Sequence, residues 1–137
     1  MKKTILIVDD EEVILDILKR RFERLGLHVL TAANGSQGIE IIKSRDLALV
    51  ICDIKMPNGV TGMSVLNALK RHQPGTHFVA TSGHLFTNSS VQEIIENGAS
   101  LFVKKPFDSL NDMAVQIIVL LNVAKEESNH QTTAAFA

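Results

Sequence analysis

Four groups of residues with chemical potential each follow a short apolar run. Asp9, Asp10, Glu11 and Glu12 follow Ile5 to Val8, and Asp53 follows Leu47 to Cys52. Ser82 and Gly83 follow Phe78 to Thr81, and Lys104, Lys105 and Pro106 follow Leu101 to Val103. Asp10 and Asp53 side by side would resist joint ionisation. A hard divalent cation such as Mg²⁺ removes that conflict, because it takes oxygen ligands and binds through one or two carboxylates. An aspartate is also a competent nucleophile toward a phosphoryl group. The added negative charge would then need Mg²⁺, a lysine ammonium and a hydroxyl such as that of Ser82. Gly83, beside the hydroxyl, leaves room for a donor.

These groups can act together only if the apolar runs are neighbouring strands. Ile5-Leu6-Ile7-Val8 is continuous rather than alternating, which suits a parallel strand covered on both faces. Ile14, Leu18, Phe22 and Leu25 follow at helical spacing and stop before Gly26, a helix terminator. His28 to Ala32 reads as a strand and Ser36 to Ser44 as a helix. Leu47 to Cys52 is a buried strand, and a helix through Met63, Leu66 and Leu69 ends before Pro74. Phe78 to Thr81 is a strand, and a helix through Val91, Ile94 and Ile95 closes at Asn97-Gly98. Leu101 to Val103 is a short strand, and Asp108 to about Lys125 is the last helix. Five strands alternating with five helices predict an α/β protein with a doubly wound, five-stranded parallel sheet and right-handed crossovers. Ligands bind such sheets beyond the carboxyl ends of the strands, where all four groups would stand.

The 137 residues predict one domain, over residues 1–125, followed by a polar tail over 126–137 that reads as disordered or as the start of a linker. A net charge of −1 offers no field for nucleic acid or a membrane surface. The first apolar run is too short for a signal peptide, and no stretch reads as a membrane span. The single cysteine, Cys52, excludes an internal disulfide and fits a reducing cytoplasm. The five histidines (His28, His72, His77, His84 and His130) show no metal-ligand spacing.

Taken singly, each candidate has an ordinary explanation. The acids from Asp9 to Glu12 favour a helix N-terminus. Asp53 suits a turn, Ser82 a loop hydrogen bond, and Lys104 and Lys105 a solvated surface. Phe102 suits the core, and Cys52 a small buried hydrophobe. Only the agreement of all four strand ends favours chemistry.

Four segments closely resemble the receiver domain of bacterial two-component response regulators: Ile5 to Glu11, Val50 to Pro57, Thr81-Ser82-Gly83, and Gly98-Ala99 with Phe102 to Phe107. The resemblance runs from Ile5 to about Val123. It implies a flavodoxin-like fold with strand order 2-1-3-4-5. It matches Asp53 to the phosphoacceptor, and Asp9 and Asp10 to metal-binding acids. Lys55 matches a position whose backbone carbonyl also binds the metal, Ser82 the switch hydroxyl, Lys105 the family's conserved lysine, and Phe102 an aromatic that moves on activation. The implied protein is a phosphoacceptor that catalyses its own phosphorylation and dephosphorylation, not an enzyme with a separate substrate. Its implied partners are a sensor histidine kinase or phosphotransfer protein. Two departures stand out: the loop Asn58-Gly59-Val60-Thr61-Gly62 is one residue longer than usual and lacks an aspartate before its last glycine, and Ser100 replaces a more usual acidic or polar residue.

Three other classes compete. A haloacid-dehalogenase-like phosphatase needs an acid two residues beyond the nucleophile, where Lys55 stands. A nucleotide-binding domain needs a glycine-rich motif after the first strand, and none is present. A receiver that docks partners without phosphorylation is opposed by the complete acid, hydroxyl and lysine set.

Three finer expectations follow. Mg²⁺ binding should require Asp10 and Asp53, with Asp9 acting partly through water. The run Ile117 to Leu121 is apolar all round, so it predicts either self-association or output docking through the face of helix four, strand five and helix five, or a cover supplied by helix four and the tail. Lys55 and His84, two residues after Asp53 and Ser82, should flank the site mouth without supplying a base, which predicts a long-lived phosphorylated state.

Overall fold

The computed structural model describes residues 2–56, 60–83 and 87–125. The strands are β1 (Thr4–Val8), β2 (His28–Ala32), β3 (Leu49–Asp53), β4 (His77–Ser82) and β5 (Leu101–Lys104). The helices are α1 (Glu12–Arg24), α2 (Gly35–Ser44), α3 (Gly62–His72), α4 (Asn88–Glu96) and α5 (Leu110–Leu121). All strand pairs are parallel, in the order β2-β1-β3-β4-β5. The predicted class and strand order therefore hold.

The continuous apolar strands serve two cores at once, because successive side chains point to opposite faces. Ile5, Ile7, Leu49, Ile51 and Val79 meet Leu15, Leu18 and Phe22 of α1 and Met113, Ala114 and Ile117 of α5. Leu6, Val8, Val50, Cys52, Phe78 and Ala80 meet Ile42, Val65, Leu66, Leu69 and Ile94 from α2, α3 and α4. Each large aliphatic side chain so buried contributes about 1.5–3 kcal/mol.

The glycine stops act as predicted. Gly26 and Gly98 have φ of +86° and +119°. Each sits in a paired closure: Leu27 and Gly26 donate to the Phe22 and Glu23 carbonyls, and Ala99 and Gly98 to those of Ile94 and Ile95. Some boundaries differ. β3 begins at Leu49 rather than Leu47 and includes Asp53. Leu47 is instead held before the strand, donating its N–H to the Gln73 side chain at 2.9 Å. α5 is shorter than predicted: the Ser109 hydroxyl caps it by accepting from the Asp112 N–H, and Asn122 ends it.

The departures noted in the sequence have local structural roles. Thr61, in place of the missing aspartate, caps α3 by accepting from the Ser64 N–H. Ser100 meets buried His77 Nδ1 at 2.8 Å, while His77 Nε2 donates to the Val123 carbonyl at 2.6 Å. The run in α5 is less open than its sequence suggests. Ile117 and Leu121 are buried, Ile118 and Leu120 pack against the core shared with α1, and Val119 is exposed. The core formed by the sheet and α1 thus covers Ile117, Ile118, Leu120 and Leu121, while the tail named as a possible cover lies outside the described residues. Residues 126–137 lie outside the described residues, as do Asn58 and Gly59.

Gly62 brings α3 against the end of β3. A Cβ there would stand 2.4 Å from the Asp53 carbonyl oxygen and 2.6 Å from Ile54 Cα. Backbone cannot yield as a side-chain tip can. Gly62→Ala should therefore destabilise the protein by about 1–3 kcal/mol, seen as a lower urea midpoint at unchanged slope. An unchanged midpoint would mean that α3 slides away without cost.

Candidate functional site

Strand register builds the site. Val8 pairs with Cys52, so Asp9 and Asp53 leave the sheet edge together. Asp53 pairs with Thr81, and Ser82 pairs with Lys104, which sets Lys105 one step beyond. The alternation of β5 also separates the two lysines: Lys104 is exposed, while Lys105 is buried at 8% exposure. The Lys105 N–H donates to the Ser82 carbonyl at 2.8 Å, and the Lys105–Pro106 peptide is cis.

The Lys105 ammonium lies among three carboxylates. Nζ is 3.0 Å from Asp9 Oδ2, 3.3 Å from Asp53 Oδ2 and 2.8 Å from Glu11 Oε2. The remaining oxygens are held by backbone: Asp9 Oδ1 accepts the Glu11 N–H at 2.8 Å, and Asp53 Oδ1 the Lys55 N–H at 3.2 Å. Asp10 is exposed at the rim. Asp9, Asp10 and Asp53 each offer an oxygen, all within 4.8 Å of one another. Such an all-oxygen set fits a hard divalent cation, and among the described residues these three carboxylates could hold it.

An open cleft of about 600 Å³ leads to this cluster, lined by Asp10, Glu11, Asp53, Lys55, Met56, Gly83 and Lys105. Ser82 is fully buried at its side, and Phe102 is half-buried against the core shared by α2, α3 and α4. The structure thus gathers Asp9, Asp10, Asp53, Ser82 and Lys105 at one edge, with Lys55 on the rim. His84 lies outside the described residues. The sequence did not single out Glu11 as a partner of Lys105. The third acid in the run from Asp9 to Glu12 was its only trace.

Burial raises the pKa of Asp53; the Lys105 charge opposes the rise and the Asp9 charge adds to it. Burial likewise raises that of Asp9, against the Glu11 N–H and Lys105. Burial alone would lower the Lys105 pKa, but the hydrogen bonds to Glu11 and Asp9 and the charges of Asp9 and Asp53 outweigh it and raise it. The Cys52 thiol is pushed well up by burial, so it is an inert core group.

The chain matches the family model of the response regulator receiver domain over residues 5–118. It is 32% identical over 123 residues to the NtrX-like protein of Rickettsia typhi, covering 89% of this chain but 25% of that protein. It is 30% identical over 136 residues to the transcriptional regulatory protein YvrH of Bacillus subtilis, covering 94% of this chain and 54% of YvrH. The chain therefore spans a quarter to about half the length of these relatives. A CheY-like receiver domain protein from Methanospirillum hungatei superposes with a TM-score of 0.80 at 32% identity, covering 89% of this chain and 95% of that one. The chain belongs to the response regulator receiver domain family, and so to two-component signalling. Among the described residues, no helix is long and apolar enough to cross a membrane.

A carboxyl whose pKa is raised on folding takes up protons as the protein folds. Without metal, the contribution of Asp9 and Asp53 to stability therefore grows as pH falls through their raised pKa values toward 3.8 and is unfavourable above them. Asp53→Asn removes the charge and keeps the shape. In EDTA at neutral pH it should raise Tm, by about 4 °C for each kcal/mol relieved in a domain of this size. A lower Tm would mean that the ion pair with Lys105 outweighs the cost of burial.

Proposed function

We propose that this domain is a phosphorylation-dependent switch in which Asp53 accepts a phosphoryl group from a sensor histidine kinase, a phosphotransfer protein or a small phosphodonor. The observation that carries this is Asp53 itself: a carboxylate at the base of an open cleft, 3.3 Å from a buried ammonium and beside two further acids. The chain's 27% identity to the Thermotoga maritima protein TrrA, solved in complex with Mg(2+)-BeF, lends support, with a TM-score of 0.74 over 86% of this chain and 98% of that one.

In this mechanism an Asp53 carboxylate oxygen attacks phosphorus as the bond to the donor's leaving group breaks. Bound Mg²⁺ would supply charge neutralisation for the carboxylates and the transferred oxygens, held by Asp9, Asp10, Asp53 and the Lys55 carbonyl. Lys105 carries a fixed positive charge to the phosphoryl oxygens, since its pKa is raised rather than lowered in place. The Ser82 hydroxyl donates to one of those oxygens. Ser82 and Phe102 lie on paired strands, with Ala80 opposite Phe102 and Ser82 opposite Lys104. A shift of β4 toward the phosphoryl group would thereby be felt by Phe102, and through it at the surface that a partner or output domain reads. The face of α4, β5 and α5 is the proposed site of that docking or of homodimerisation.

Incubation with acetyl phosphate and Mg²⁺ should add one hydroxylamine-sensitive phosphoryl group by intact mass. Asp53→Asn should add none, and Asp10→Ala much less at limiting Mg²⁺. An unlabelled wild type would leave a domain that docks partners without phosphorylation, and a fully labelled Asp53→Asn would move the acceptor elsewhere.

Lys55 bears on lifetime. It lines the cleft and its ammonium cannot accept a hydrogen bond from an attacking water. The phosphorylated state should therefore be long-lived, and Lys55→Asn, which adds an acceptor, should lose phosphate faster in Mg²⁺. Equal or slower loss would exclude Lys55 as a guard of the site.

A further inference from the structure

An ammonium has three donors, and Lys105 directs its three at Asp9, Asp53 and Glu11. The three acceptors are not equivalent. Asp9 and Asp53 belong to the oxygen cluster fit for a cation, and Glu11 does not. Glu11 is 60% exposed, yet it makes the shortest of the three contacts, at 2.8 Å. It stands at the N-cap of α1 without using its side chain as a cap. Its backbone is fixed by the 2.8 Å bond from its N–H to Asp9 Oδ1.

When a cation engages Asp9 and a phosphoryl group is carried by Asp53, both carboxylates give up negative charge that now faces the lysine. Glu11 is the acceptor that neither event consumes. Resting on the reading that Asp53 is the phosphoacceptor, we infer that Glu11 is a positioning residue for Lys105. Its carboxylate keeps one donor of the ammonium at the cleft mouth, while the donors released by Asp9 and Asp53 turn to the phosphoryl oxygens. The lysine enters from β5 with its backbone tied to Ser82, so restraint at the Nζ end confines the charge to the space above Asp53. The ordinary alternative is that Glu11 forms a surface ion pair of no consequence, as many exposed pairs are.

The test is the rate of labelling by acetyl phosphate at saturating Mg²⁺ in wild type, Glu11→Gln, Lys105→Met and the double variant. Glu11→Gln should slow labelling about threefold to fivefold, the scale of a modest ion pair. Its Tm should stay near that of wild type, because the side chain is largely exposed. In the Lys105→Met background the same substitution should have no further effect. That non-additivity is what a purely structural role would not produce. Labelling of Glu11→Gln at the wild-type rate overturns the inference and leaves Asp53 as acceptor. Equal slowing with and without Lys105 also overturns it, placing the effect outside the lysine. A wild type that takes no label overturns the acceptor reading and this inference together.

Discussion

The site is organised around an electrostatic conflict. Asp9 and Asp53 are buried side by side where their strands end, and burial disfavours the charge of each. The Lys105 ammonium among them relieves part of the conflict. A hard cation or a change in the charge of Asp53 would alter the balance. A stable core would bury methyl groups at that edge. Concentrating acids there stores a preference for an added positive charge, a local departure from packing rules of the kind found at functional sites.

The sheet makes this cluster reproducible. Each strand end is set by its register with the next, and β1, β3 and β4 are buried on both faces, so a slip of one residue in them would exchange the two cores. Gly62 closes the other side by letting α3 touch the Asp53 backbone. The same strands that carry Ser82 and Lys105 run to the opposite edge. There His77 meets Ser100 and the Val123 carbonyl and ties the end of α5 to β4. The acid and lysine cluster at one edge and the end of α5 at the other therefore share β4 and β5.

Much of this was legible in the sequence because burial pattern and chemistry coincide. Continuous apolar runs marked parallel strands, Gly26 and Gly98 marked helix ends, and each reactive group followed a strand. β2 was legible to the residue, as His28–Ala32. Most of what was not legible depended on contacts distant in the chain. The start of β3 moved because Gln73, 26 residues on, holds the Leu47 N–H. The length of α5 was overestimated because apolar residues past Leu121 do not reveal that Asn122 ends the helix. Residue type alone did not separate Lys104 from Lys105: the resemblance picked Lys105, and the pleat of β5 supplies the physical reason, exposing Lys104 and burying Lys105. Glu11 lies 94 residues from Lys105, and spacing alone gives no reason to pair them.

The central claim is that this cluster is built to receive a phosphoryl group. Beryllofluoride mimics that group on a carboxylate, so the most direct measurement is its titration into the ¹⁵N-labelled protein, with and without Mg²⁺, followed by amide shifts. The account predicts saturable shifts that require Mg²⁺, centred on Asp53, Ser82 and Lys105, extending to Phe102, and lost in Asp53→Asn. An absence of shifts in the presence of both ions, or the same shifts in Asp53→Asn, would contradict it.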